Sequence, residues 1–334
     1  MIFLALALAI GAAQPPKPLF ASDDTIRIAI QGPMATLAAN RSSDPRPATL
    51  TVGADTLPIT LSVRGITRRT TDVCGFPPLR VQFTLPPPAT SPFAGQKRLK
   101  LVTHCRASPG FQQYVLLEYA AYRMYRQLSP LSFRVRIAEV DYRHEDGRPY
   151  IQRTGFFLED TGDVARRNGL KELRAPERIA VSVLSPRDAA RYAMFQHMIG
   201  NHDWAMRAGP RGEDCCHNAK LIGASGLAPG AVIPVPYDFD FSGLVNAPYA
   251  TPPDQLRIAD VRQRVYRGYC AHNAEAAAIA AQMRALRPQL LATLASTPGL
   301  EPRTAGKAQS YLDGFFRQVA TDADVAGLLK RCVD

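Results

Sequence analysis

Residues 185–243 read SPRDAARYAMFQHMIGNHDWAMRAGPRGEDCCHNAKLIGASGLAPGAVIPVPYDFDFSG, and the order of elements in this stretch decides the predicted fold. Ser185 is a preferred helix N-cap, and Pro186 suits the first helical position. Apolar residues then recur at helical spacing as far as Gly200, a residue that commonly ends helices. The sequence therefore predicts a helix that stops immediately before a short polar loop.

A hairpin is predicted after this loop. Two short apolar runs, residues 219–222 and 231–237, are separated by glycines and a proline, as in two antiparallel strands. Polar residues stand at the ends of these elements, where a rigid scaffold can direct several side chains at one point. These residues are Asp203 after the helix, Asn218 before the first strand, and Asp238 and Asp240 after the second strand.

Carboxylates and a carboxamide in this order suit phosphoryl transfer. One carboxylate orients or deprotonates the attacking hydroxyl, and the other oxygens bind Mg²⁺, a hard cation that also binds nucleotide phosphates. The alternative is that these residues are turn residues whose side chains cap backbone amides.

The motifs of this stretch resemble the core of the spore-coat CotH kinase family, which reads N-x-D, then H-N before a strand, then P-W-D-x-D. The corresponding segments here are Asn201-His202-Asp203, His217-Asn218 and Pro236-Tyr237-Asp238-Phe239-Asp240, with Tyr in place of the usual Trp. The resemblance implies ATP and Mg²⁺ or Mn²⁺ as cofactors, and a Ser or Thr hydroxyl of an unknown protein as acceptor. It also implies Asp203 as the catalytic residue and Asn218, Asp238 and Asp240 as metal ligands.

Five further residues are candidates for nucleotide binding. Lys100 lies on a predicted strand at residues 96–103 and Glu118 on a predicted helix at residues 111–128. Kinases use a strand Lys and a helix Glu to position the nucleotide phosphates, so we expect these two residues to pair. Arg64, Arg80 and Glu159 occupy stretches that resemble the start of the CotH-type domain and its exit strand. Ordinary surface charges are the alternative for Lys100, Glu118, Arg64 and Arg80.

The resemblance and the pattern of elements together predict an α+β, protein-kinase-like fold with two lobes. Short β-type runs separated by Gly, Pro, Asn and Asp dominate residues 23–162, and predicted helices dominate residues 163–334. We therefore expect a β-rich N-terminal lobe and a mainly helical C-terminal lobe that contains the catalytic and metal loops. A single closed β-barrel would contradict this prediction.

The composition favours an exported protein without a nucleic-acid partner. The chain has 334 residues and a formal net charge of +11, but its basic residues are dispersed, which indicates compositional bias rather than a nucleic-acid surface. Residues 2–13 form an apolar run too short to span a bilayer, as in a signal peptide or N-terminal anchor (residues 1–13), and no other stretch is apolar enough. We therefore expect the protein to be located in the periplasm, in the cell envelope or in the medium.

The six cysteines permit three disulfides in an oxidising compartment. Adjacent cysteines rarely bond to each other, so we expect Cys215 and Cys216 to have different partners.

Two other functions remain open. Gly200-Asn201-His202-Asp203 also matches the G-N-H-[DE] motif of metallophosphoesterases, but the other metal-binding motifs of that class do not occur in the sequence. A catalytically silent binding or structural module of the cell envelope is the second alternative, because ATP is scarce outside the cytoplasm.

Overall fold

The computed structural model describes residues 14–334, so the predicted signal peptide lies outside the described residues. Its first half contains seven strands with the side-chain alternation of half-buried β-structure. In β4, for example, Leu79, Val81 and Phe83 point inward and Arg80 and Gln82 point outward. The strands are β1 (Ile26–Gln31), β2 (Arg46–Val52), β3 (Asp55–Val63), β4 (Leu79–Phe83), β5 (Arg98–Val102), β6 (Val135–Arg143) and β7 (Pro149–Leu158).

These seven strands close into one barrel with the order β1-β2-β3-β4-β5-β7-β6. Closure depends on a parallel pairing of β1 with β6, in register from Ile26 opposite Ala138 to Gln31 opposite Arg143; the other pairs are antiparallel. The barrel interior is a separate apolar core, which includes Ile30, Leu61 and Leu101. The predicted two-lobed kinase-like fold is therefore wrong, because an open β-rich lobe has free edges and this sheet has none.

Helices pack outside the barrel. The first part of the chain contributes α1 (Met34–Ala39), α2 (Gln112–Leu128) and α3 (Thr161–Arg167), and α4 (Pro186–Ile199) follows. The C-terminal part contributes α5 (Asn273–Ala285), α6 (Arg287–Ala295), α7 (Pro302–Gln318) and α8 (Asp322–Leu329). One apolar core joins α2 and α4 to these C-terminal helices and to one side of β7. No helix in residues 14–334 is long and apolar enough to cross a membrane.

A three-stranded sheet lies within the half of the chain predicted to be mainly helical. It consists of β8 (Lys171–Glu172), β9 (Ala219–Gly223) and β10 (Ile233–Pro236), in the order β10-β9-β8. The β9–β10 hairpin confirms the hairpin predicted from the sequence. The boundary placed between residues 162 and 163 stays a prediction.

The structure contains three disulfides, which are compatible with an exported protein. Cys74 is bonded to Cys105 and Cys270 to Cys332, and both bonds link segments distant in the sequence. Cys215 and Cys216 are bonded to each other, so the prediction that they have different partners is wrong. The reason is that the other four cysteines already form two pairs within the fold.

Acidification should destabilise the protein through His104, which is buried and stacked on Phe76 with ring centroids 4.9 Å apart. Burial, followed by the charge of Arg153, lowers the pKa of His104 to about 4. The unfolded state therefore takes up a proton first, and stability is lost as the pH falls from about 6.5 towards 4.

We expect His104→Phe, which keeps an aromatic ring at this position but cannot take up a proton, to reduce the loss of stability by up to about 1.4 kcal/mol per pH unit. Urea unfolding at pH 7 and pH 5 measures the effect, and His144→Phe in the β6–β7 turn is the control. An equal pH dependence in His104→Phe and the parent protein would show that His104 does not titrate in this way.

Candidate functional site

The loop that holds Asp203 is rigidly attached to the end of α4. Gly200 ends the helix with a φ of 63°, and a side chain at this position would collide with the hydroxyl of Tyr311. The indole Nε1 of the buried Trp204 donates to the carbonyl of Asn201 at 2.9 Å. The side-chain oxygen of Asn201 accepts from the backbone N–H of Asp203 at 3.1 Å. Asp203 is thus held by packed structure on both sides.

Asp203 is bound by the two residues before β9. Its Oδ1 lies 2.6 Å from Nε2 of His217, and its Oδ2 accepts from Nδ2 of Asn218 at 2.9 Å. The same Nδ2 donates to the backbone carbonyl of Asp203 at 2.6 Å, which leaves Oδ1 of Asn218 as the oxygen that a metal could use. The hydrogen bond that His217 donates to the carboxylate of Asp203 raises the pKa of His217. Asp203 keeps 34% of its side-chain surface exposed, so it remains accessible to a substrate.

The hairpin brings Asn218 and Asp238 to the same end of the sheet. Pro236 lies opposite Ala219, and the backbone N–H of Tyr237 donates to the carbonyl of Asn218 at 3.2 Å. The backbone N–H of Asp238 donates to the hydroxyl oxygen of Tyr122 on α2 at 2.8 Å. Asn218 and Asp238 have φ values of 50° and 64°, which are uncommon for residues other than glycine. Asn and Asp adopt this left-handed conformation more readily than other non-glycine residues, so both positions suit the residues that occupy them.

Three carboxylates meet beside this turn. Glu118 on α2, Asp238 and Asp240 each offer an oxygen, and these oxygens lie within 4.8 Å of one another. We call these three residues the acidic cluster. The buried Arg68 reaches all three, with nitrogen–oxygen distances of 3.4 Å to Glu118, 3.8 Å to Asp238 and 3.2 Å to Asp240.

Two members of the acidic cluster, Glu118 and Asp240, are buried, and burial disfavours their charged forms. Burial raises the pKa of Glu118 and of Asp240, while the charge of Arg68 opposes both shifts. Tyr249 donates its hydroxyl to Asp240 at 3.0 Å, but Oε1 of the buried Glu118 has no hydrogen-bond partner. The acidic cluster therefore contains a buried carboxyl oxygen without a partner, which a cation bound there could use.

The acidic cluster fits a divalent cation. Mg²⁺ and Mn²⁺ prefer oxygen ligands, and Mg²⁺ usually binds through one or two carboxylates together with waters and phosphates. Asp238, whose side chain is 35% exposed, is the member that such a ligand set can reach from solvent. The structure thus brings Asp238, Asp240 and Glu118 together, and the role of Asp238 and Asp240 as metal ligands stays a prediction.

The predicted pair between Lys100 and Glu118 does not form. Glu118 binds Arg68, and Nζ of Lys100 lies 4.7 Å from the ring centroid of Tyr237. The acidic groups that act on Lys100 are Asp238 and Asp160. Burial, followed by the charges of Arg64 and Lys220, lowers the pKa of Lys100 to about 7. The difference is due to Arg68, which reaches Glu118 from the short 3₁₀ helix at Thr67–Arg69, 50 residues away in the sequence.

Arg64 and Arg80 lie where a phosphate group could contact them, whereas Glu159 has a different environment. Arg80 lies opposite Lys100 in the β4–β5 pairing, and Arg64 directly follows β3. The carboxylate of the buried Glu159 binds Arg167 at 3.0 and 3.2 Å and accepts from the backbone N–H of Arg134 at 2.9 Å. The carboxylate of Glu159 is therefore occupied within the protein.

Two adjoining cavities contain these residues. The acidic cleft, of about 530 Å³, is lined by Asp203, His217, Asn218, Asp238 and Asp240. The basic pocket, of about 360 Å³, is lined by five cationic side chains, Arg64, Arg80, Arg98, Lys100 and Lys220. Arg64, Gly65 and Lys220 line both cavities. A single elongated ligand can therefore contact both sets of residues.

Sequence reasoning missed the roles of Arg68, His217 and Lys220. Arg68 lies 50 residues from Glu118 in the sequence, and no local pattern joins them. His217 directly precedes Asn218. Its contact with Asp203 depends on the path of the loop between Asp203 and β9, which the sequence does not reveal. Lys220 is the second residue of β9, where strand alternation could have placed it on the face of Tyr237.

Comparison with known proteins adds no assignment. No protein-family model matches the chain, and no curated protein is similar enough to count as a relative. The CotH resemblance therefore stays a prediction based on its motifs. His202 is the histidine of the metallophosphoesterase-type motif. Its Nε2 lies 2.7 Å from the carbonyl oxygen of Gln263, so this nitrogen already has a partner within the protein.

Proposed function

We propose that this chain transfers a phosphoryl group from metal-bound ATP to a hydroxyl group, with Ser or Thr of a protein as the acceptor class. The observation that supports this proposal best is the meeting of three kinds of group in adjoining cavities. These are a carboxylate held at the cleft surface (Asp203), an acidic cluster suited to a divalent cation, and the cationic side chains of Arg64, Arg80, Lys100 and Lys220, which form no ion pair with a carboxylate within residues 14–334.

In the proposed mechanism Asp203 accepts the proton of the attacking hydroxyl. His217 and Asn218 hold the two carboxylate oxygens in place, so that the oxygen facing the substrate does not reorient during the reaction. Lys100, Arg64 and Lys220 stabilise the charge of the phosphates by charge-assisted contacts. Asn218, Asp238, Asp240 and Glu118 would hold Mg²⁺ or Mn²⁺, which neutralises phosphate charge when bound.

We place this reaction outside the cytoplasm, in the periplasm, the cell envelope or the medium. The three disulfides support an oxidising compartment, and the apolar run at residues 2–13 is typical of an exported chain. The donor must then be present in that compartment or bound before export.

Incubation with labelled ATP and Mg²⁺ or Mn²⁺ tests the proposal. We expect label to appear on the protein itself or on co-secreted proteins, and we expect EDTA to stop the transfer. The same incubation with boiled protein gives the background. If no label is transferred to any hydroxyl and ATP is not bound, the chain is not a phosphotransferase of this kind.

Asp238→Asn should weaken metal-dependent ATP binding by about 10–100-fold, because an amide is a poorer ligand for Mg²⁺ than a carboxylate. Calorimetric titration with Mg-ATP measures this change. Asp254→Asn, in the exposed loop beyond the cleft, is the matched control and should bind as the parent protein does. If Asp238→Asn binds Mg-ATP as tightly as the parent, the metal site proposed here is wrong.

One observation favours a second candidate, a catalytically silent binding module. Arg68 lies across the acidic cluster and supplies there part of the positive charge that a metal would supply. A protein of this type would bind nucleotide without dependence on metal and would transfer nothing. Nucleotide binding that is equal in Mg²⁺ and in EDTA, without transfer of label, would select this candidate.

A further inference from the structure

The basic pocket has more positive than negative charge within reach of a ligand. Of its acidic residues, Glu159 binds Arg167, and Asp160 caps α3 through the N–H of Gly162 and lies 3.5 Å from Arg98. Glu172 lies on the exposed β8. Within residues 14–334, the cationic groups of Arg64, Arg80, Lys100 and Lys220 form no ion pair with a carboxylate. These four side chains are therefore available to bind an anion.

The basic pocket also offers little apolar surface. Binding sites for flat aromatic ligands such as a nucleobase are usually lined by apolar and aromatic side chains. The two leucines of this pocket, Leu99 and Leu158, are only 2% and 3% exposed, and no aromatic side chain lines it. The nearby ring of Tyr237 has the ammonium groups of Lys100 and Lys220 at 4.7 and 5.6 Å from its centroid. Within the basic pocket a nucleobase would therefore find no aromatic side chain on which to stack.

Two cationic residues are shared by the basic pocket and the acidic cleft, in which we place the proposed reaction. Arg64 and Lys220 line both cavities, so a chain of linked phosphates could run from the basic pocket to the acidic cluster and Asp203. Each phosphate along this path would meet a cationic side chain or a bound cation.

On the basis of the proposed function, we infer that the donor is recognised through its condensed-phosphate chain alone, without selection for the base. Inorganic tripolyphosphate and nucleoside triphosphates of any base are then equivalent donors. In the reaction the acceptor oxygen forms a bond to the terminal phosphorus, and the P–O bond to the bridging oxygen breaks. The bridging oxygen keeps the electron pair as the shortened phosphate chain leaves, and the hydroxyl proton passes to Asp203.

Calorimetric titration of the full chain with the magnesium complexes of tripolyphosphate, ATP and GTP tests this inference. We expect the three dissociation constants to agree within about threefold. Lys220→Gln should weaken all three by about tenfold or more, because a charge-assisted hydrogen bond contributes about 1.5–3 kcal/mol. Arg303→Gln, on α7 outside both cavities, is the control and should change none of them.

The outcomes separate this inference from the proposed function. ATP binding at least tenfold tighter than tripolyphosphate and GTP binding would overturn the inference, and transfer of label from ATP would then still support the function. Equal binding of all three without any transfer would support the inference and contradict the function. Absence of binding by all three would overturn both.

Discussion

Asp203→Asn should lower the rate of phosphoryl transfer by about 10²–10⁴-fold, the range that a positioned general base contributes. The amide cannot accept the hydroxyl proton, but it has the same shape as the carboxylate. Its oxygen can still accept from Asn218, so we expect folding and Mg-ATP binding to be nearly unchanged. Transfer of label under single-turnover conditions measures the rate, and calorimetric titration measures the binding.

The control for this variant lies outside both cavities. Asp254 is exposed and lines neither the acidic cleft nor the basic pocket, so Asp254→Asn should keep the parent rate. A structural role of Asp203 predicts a different result, with a lower melting temperature and no selective loss of transfer. Retention of more than about a tenth of the parent rate in Asp203→Asn would exclude the catalytic role, given the size of such effects.

Arg68→Met should lower the free energy of unfolding by about 3–5 kcal/mol, because removal of one partner leaves buried carboxylates without a counter-charge. Glu118 is 1% exposed and Asp240 is 5% exposed, so water cannot replace the guanidinium. Urea unfolding at pH 7 in EDTA measures the loss. Arg69→Met is the neighbouring control; Arg69 donates to the carbonyl of Arg41 at 2.6 Å, and its loss should cost about 1 kcal/mol.

Two further measurements relate this stability to the metal site. The double variant Arg68→Met with Glu118→Met should be less unstable than Arg68→Met alone, because it also removes a carboxylate that lacks a partner. Added Mg²⁺ or Mn²⁺ should stabilise Arg68→Met more than the parent protein, since a cation that binds only the folded state shifts the unfolding equilibrium. If neither metal stabilises Arg68→Met, the acidic cluster does not bind a divalent cation.

The parts of the site that could be predicted from the sequence are those whose partners are close in the chain. The helix before Gly200, the β9–β10 hairpin and the meeting of Asn218 with Asp238 follow from periodicity and from antiparallel pairing across a short connection. The Ala-rich run at residues 273–294 predicts one helix, but the structure contains two, α5 and α6, and Pro288 stands at the start of the second.

The sequence by itself determined the helix before Gly200, the β9–β10 hairpin and the polar residues that stand at their ends. The tertiary structure alone decided that β1 pairs with β6, that Arg68 rather than Lys100 binds Glu118, and that Cys215 bonds to Cys216. The physical reason is the range of the interactions. Backbone preference and side-chain alternation act over a few residues, whereas barrel closure and a buried ion cluster depend on groups that approach only when the whole chain packs.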